Sequence, residues 1–178
     1  KGVRAADLAC SCSASIELAV ETGQDRQAAW HFQVERAPNR IDLKKIGQEA
    51  TLKGLRKLGA KPFKAGRYPV VLHPEVAVDI LGLVAGMLSG EEVAKQRSLF
   101  ANKLGQTIAS SQLTLIDDAR LIFPDGQAAL GTEAWDGEGL PTRRNVLIEN
   151  GILKTYLHTL RSAAEMKQQP TANAGRGV

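Results

Sequence analysis

The sequence is poor in the residues from which metal and redox centres are usually built. Its three histidines, His31, His73 and His158, stand on three separate segments, with no two of them at helical spacing. A catalytic zinc site usually needs three protein ligands, commonly two histidines on one helical face with a carboxylate nearby. The nearest approach to a ligand cluster is His73-Pro74-Glu75, which reads more simply as the start of a helix. Cysteine is just as scarce. Cys10 and Cys12 are the only two, too few for a disulfide framework, and they read as small, partly buried residues of a reducing compartment. Neither a Gly-x-Ser-x-Gly elbow nor a Gly-x-x-x-x-Gly-Lys-Ser/Thr phosphate loop occurs, so serine-hydrolase and P-loop chemistry have no support. The longest apolar run, 76–88, contains Asp79 and is too short to span a bilayer. No secretory signal is visible, which points to the cytoplasm.

What is present is an ordinary globular composition. At 178 residues and 43% hydrophobic, the chain can bury one core or two small ones. It begins on Lys1 and trails off in small residues after Thr171, so it is expected to be a segment of a larger protein. Of the net charge of +4, much is concentrated between Lys44 and Arg67, where eight basic residues face the single acid Glu49. Such a run can attract an anionic partner. It also reads as a solvated helix face followed by a linker, and no aromatic interleaving or nucleic-acid motif accompanies it.

The pattern predicts an α+β fold with antiparallel hairpins packed against several helices. Segments 13–20 and 28–35 flank the turn-rich Glu21-Thr22-Gly23-Gln24-Asp25 and predict a long hairpin. Leu43, Ile46, Ala50, Leu55 and Leu58 then recur near helical spacing between Asp42 and Gly59, predicting an amphipathic helix with its basic face outward. A linker at 60–66 separates this part, 1–64, from the remainder, 65–178. There Tyr68-Pro69-Val70-Val71-Leu72 reads as a short buried strand, and the apolar stretch that starts at Pro74 as a helix covered on most sides. Gly82, Gly86 and Gly90 recur on it and would permit close packing. Further expected elements are a helix at 91–100, a strand at 112–116 ending at Asp117-Asp118, and a helix at 160–168. Asn150-Gly151 between 145–149 and 152–158 is the firmest local signal, because both central residues of a type I′ turn need positive φ. The acidic pairs Asp117-Asp118, Glu91-Glu92 and Asp136 with Glu138 read as solvated or capping groups.

Several segments together resemble the PmbA/TldD family. They are Tyr68 to Leu72, the glycine-spaced helix through Ser89-Gly90, Lys103-Leu104-Gly105-Gln106, Leu113 to Asp118, Trp135-Asp136-Gly137-Glu138-Gly139-Leu140-Pro141-Thr142-Arg143-Arg144, Ile148 to Lys154, and the tail Thr171 to Arg176. The match is dense from about 67 to 176 and looser before it. The resemblance makes 1–64 part of the family's middle domain and 65–178 the start of its C-terminal domain. Family members were described as modulators of DNA gyrase and are now viewed as peptidases. TldD-like members carry a zinc-binding His-Glu-x-x-x-His helix, whereas PmbA-like members, also called TldE, lack it and pair with a TldD-like chain.

Set against that helix, the ligand positions here hold Leu81, Gly82 and Gly86, which cannot bind metal. The resemblance therefore implies the PmbA type: no cofactor in this chain, zinc in a TldD-like partner subunit, and a peptide or unfolded protein as substrate. A homo-oligomer stays open as an alternative, and no membrane partner is expected. Asp136, Glu138, Arg143, Arg144, Asn150 and Gly151 are the candidate contacts to partner or peptide. A second reading, a nucleic-acid- or gyrase-binding module, rests on the basic run alone.

Overall fold

The computed structural model describes residues 4, 6 and 8–175. The chain divides into two compact units, Leu8–Pro69 and one containing Val70 onward. Among the described residues no helix is long and apolar enough to cross a membrane.

In the first unit β1 (Cys12–Thr22) and β2 (Asp25–Glu35) pair antiparallel from Cys12 opposite Glu35 to Thr22 opposite Asp25. The hairpin reverses through Gly23, whose φ of 57° is accessible without the steric penalty of a Cβ. Helix α1 (Leu43–Lys57) starts where the Asp42 carboxylate accepts the N–H of Lys45, and it buries Ile46, Ala50 and Gly54 along one stripe. A Cβ on Gly54 would meet a Val20 methyl at 3.0 Å and Ala29 at 3.5 Å, so the glycine sets how closely helix and hairpin approach. The basic face is not wholly outward, as the charge pattern had suggested. Lys57 donates to the carbonyl of Ala28, and Lys53 lies 3.0 Å from Nδ1 of His31. Long stems let these ammonium groups reach back over the sheet. The Asp25 carboxylate accepts the N–H of Gly59 at 2.6 Å, which fastens the end of α1 to the turn and holds the Asp25 pKa below its ordinary value.

The second unit gathers its core at the C-terminal end of α2 (Pro74–Met87). Leu88, Val93, Leu147, Ile148, Leu153 and Tyr156 are buried there, with Val84, Phe100, Ile108 and Met166 packed against them. Three expectations need correction. Tyr68 to Leu72 forms no strand and is exposed, Val71 fully so, and α2 is not covered on most sides, since Val76, Val78, Ile80, Leu81 and Leu83 are all exposed. Apolar composition signals that a surface suits burial; it does not supply the covering element. The expected helix at 91–100 is only α3 (Gly90–Ala94), ending before Gln96, whose φ is 57°.

A three-stranded antiparallel sheet of β3 (Leu115–Asp118), β4 (Arg144–Glu149) and β5 (Ile152–Leu153) runs in the order β3-β4-β5. The predicted turn joins β4 to β5, with φ of 49° at Asn150 and 80° at Gly151. Strand β3 starts later than expected and takes in Asp117 and Asp118, which lie opposite Asn145 and Arg144. Helix α4 (Leu160–Met166) begins with a reciprocal capping box between Thr159 and Ser162, and it stops at Lys167 in the left-handed region.

Candidate functional site

Leu81, Gly82 and Gly86 lie on the exposed part of α2, where a leucine and two glycines present no donor atom to a metal. Among the described residues no group of three or more His, Cys, Asp or Glu is arranged to hold a metal ion. Cys10 and Cys12 are free thiols, the first exposed and the second half-buried against the Glu35 carbonyl. Among the described residues, the side chains at 81, 82 and 86 therefore supply no zinc ligand.

The six candidate contact residues fall into three places. Asp136 is buried, its Oδ1 accepting the N–H groups of Glu138 at 3.0 Å and Leu140 at 2.8 Å and its Oδ2 that of Ala174 at 3.3 Å. It shapes its own turn and pins the C-terminal segment to it. Glu138 accepts the N–H of Leu160 at 2.7 Å, the first residue of α4. Arg143 donates to the carbonyl of Pro170, while Arg144 lies 3.9 Å from Asp118 across the β3–β4 pair. Asn150 and Gly151 do not project as a free tip. Gly151 donates to Leu113 O and accepts from Ile108 and Ala109, and Asn150 N–H donates to Thr114 Oγ1, so the segment 108–114 clasps the turn.

A buried polar seam not foreseen from the residues connects the first two places. Asn145 Nδ2 donates to Asp117 Oδ2 and to the Thr171 carbonyl, each at 3.0 Å, and Asn173 Nδ2 donates to the same Asp117 oxygen at 2.8 Å. Asp117 is thus a structural acceptor rather than a solvated or capping acid. Thr171 exchanges backbone and hydroxyl hydrogen bonds with His158, whose ring is buried and 3.2 Å from Ser162 Oγ. Burial lowers the His158 pKa, and its Nε2 has no hydrogen-bond partner among the described residues. The acidic pair and the isolated histidine were visible in the sequence, but no spacing rule joins residues 117, 145, 158 and 171. Of the tail motif, Arg176 lies outside the described residues.

The family model for the PmbA/TldA metallopeptidase C-terminal domain matches residues 65–178. The chain belongs to the PmbA/TldD family. A metalloprotease of Methanocaldococcus jannaschii is 34% identical over 164 residues, which cover 92% of this chain and 34% of that protein. A Thermotoga maritima structure described as a candidate modulator of a DNA gyrase superimposes with a TM-score of 0.80 at 27% identity, over 94% of this chain and 37% of that one. TldE from Thermococcus kodakarensis gives a TM-score of 0.74 at 27% identity, again over 94% and 37%. The chain thus spans about a third of the length of these PmbA/TldD relatives.

Proposed function

We propose that this chain is part of a metal-free, PmbA/TldE-type subunit acting in the cytoplasm beside a zinc-bearing TldD-like subunit in peptide hydrolysis. What supports the reading is helix α2, where the family resemblance sets Leu81, Gly82 and Gly86 at the positions of the zinc ligands and none of the three side chains can bind metal. No histidine occurs anywhere between 74 and 157, so a shift of the alignment by two residues would not restore a site. Activation of water by metal then falls to the partner. This subunit contributes walls and contacts to the cavity in which an unfolded peptide is cut. Residues 1–64 belong, on this reading, to the middle domain and 65–178 to the start of the C-terminal domain.

The uncovered apolar face of α2 and the candidate contacts Asp136, Glu138, Arg143, Arg144, Asn150 and Gly151 divide naturally. Asp136, Glu138, Asn150 and Gly151 are committed to hydrogen bonds within the unit, so their contribution is to hold surfaces in place. The arginines retain donors for a ligand. The alternative of a nucleic-acid- or gyrase-binding module is supported less, because Lys53 and Lys57 of the basic run turn onto β2. Salt-sensitive DNA binding by the full-length protein at low ionic strength would revive it. The test of the main reading is zinc content and peptide cleavage by the full-length protein alone and mixed with a TldD-like subunit, with both expected only in the mixture.

A further inference from the structure

An open cavity of about 380 Å³ lies within the second unit, between the start of β4 and the segment that follows α4. Arg143, Arg144, Asn145, Thr155, Gln168 and Gln169 contribute to its lining, and no carboxylate does. One wall is fixed from behind, because Asn145 Nδ2 holds the Thr171 carbonyl and Thr171 is in turn bonded to His158. Arg143 is steadied by its donation to the Pro170 carbonyl, yet it has no ion-pair partner among the described residues. Arg144 reaches its acid, Asp118, only at 3.9 Å. A guanidinium offers five N–H donors in a fork that matches a carboxylate, so a single carbonyl leaves most of that capacity unused. The side-chain amides of Gln168 and Gln169 are exposed and make no hydrogen bond among the described residues. The cavity is thus rich in donors, positively charged and free of acids.

We propose that this cavity binds a peptide through a carboxylate, that of the chain terminus, with Arg143 as the recognising residue. The inference rests on the peptide-handling reading given above and adds the chemical class of group that this subunit holds. Arg143 is a binding residue here and takes no part in bond cleavage.

The test measures binding of three probes to the full-length protein by calorimetry: tetra-alanine with a free C-terminus, its C-terminal amide, and an amidated tetrapeptide, Ala-Ala-Glu-Ala, with one glutamate. The free acid should bind about tenfold more tightly than the amide, the scale of one charge-assisted hydrogen bond. Arg143→Gln should erase that difference. Because Arg143→Gln also removes the bond to Pro170, Gln168→Glu supplies an independent check: it adds a repelling charge beside the cavity, leaves that bond in place, and should likewise erase the preference. Binding of the glutamate peptide as tight as that of the free acid, and dependent on Arg143, would overturn the assignment to the chain terminus and move recognition to an acidic side chain. Equal affinity for acid and amide, or an unchanged preference in both folded variants, would overturn the proposal. Failure of the two-subunit mixture to cleave peptides would instead count against the partner-subunit reading and leave a measured acid-over-amide preference standing.

Discussion

Gly90 and His158 are packed so closely that a Cβ on Gly90 would lie 2.4 Å from Nδ1 of the imidazole and 2.8 Å from Ser162 Oγ. Gly90, the first residue of α3, therefore makes room for a buried ring at the entry to α4. Gly90→Ala should destabilise the protein by about 1–3 kcal/mol, the usual cost of overpacking. A shift of less than about 0.5 kcal/mol in urea unfolding, the range of a neutral surface change, would show that the ring moves aside freely.

The same histidine gives the fold an acid sensitivity. Burial lowers the His158 pKa below its ordinary 6.5, so the folded state favours the neutral ring. Its contribution is complete above 6.5 and declines as pH falls from that value through the lowered folded one. Melting temperature followed from pH 7.5 down to pH 5 should fall more steeply for the natural protein than for a folded His158→Asn variant. Parallel profiles would rule out His158 as the source.

Asn145 should matter more for stability than its charged neighbours Arg143 and Arg144. Replacing it by Ala leaves the Thr171 carbonyl and one Asp117 contact without their donor, at about 1–3 kcal/mol. Hydrogen exchange should quicken first at Thr171, whose amide bonds to His158, and at Ala174, bonded to Asp136. Uniform acceleration across β1 and β2 instead would argue against a local role.

The turn at Asn150-Gly151 should tolerate glycine at 150 and resist any side chain at 151. Gly151 has a φ of 80°, and a Cβ there would sit 2.3 Å from the Ala109 carbonyl oxygen. Gly151→Ala is expected to cost at least about 1–2 kcal/mol from the left-handed conformation alone. Chemical denaturation of Gly151→Ala beside Asn150→Gly would separate the two positions.

Those residues also mark where the sequence was legible. Local signals translated directly: Asp42 capped α1, Asn150-Gly151 made the turn, and Gly23 reversed the first hairpin. Each depends on backbone geometry within a few residues. Apart from the early stop of α3 before Gln96, the failures were tertiary. Tyr68 to Leu72 and α2 had the composition of buried elements, but whether anything lies over Val71 or Val78 is decided by residues remote in sequence. Asp117 and Asn145 illustrate the same point for the site, because their pairing follows from the register of β3 on β4 and from the path of residues 171–173. The contact candidates Asp136 and Arg143 came from the family resemblance; their hydrogen bonds to Ala174 and Pro170 could not have been read from spacing.

On the reading proposed above, this chain comes from a subunit without a zinc site of its own. The most direct test is to measure bound zinc and peptide cleavage in the full-length protein, alone and after mixing with a TldD-like subunit from the same organism. Neither zinc nor cleavage is expected from the protein alone, and both from the mixture. Stoichiometric zinc together with cleavage by the protein alone would contradict that reading.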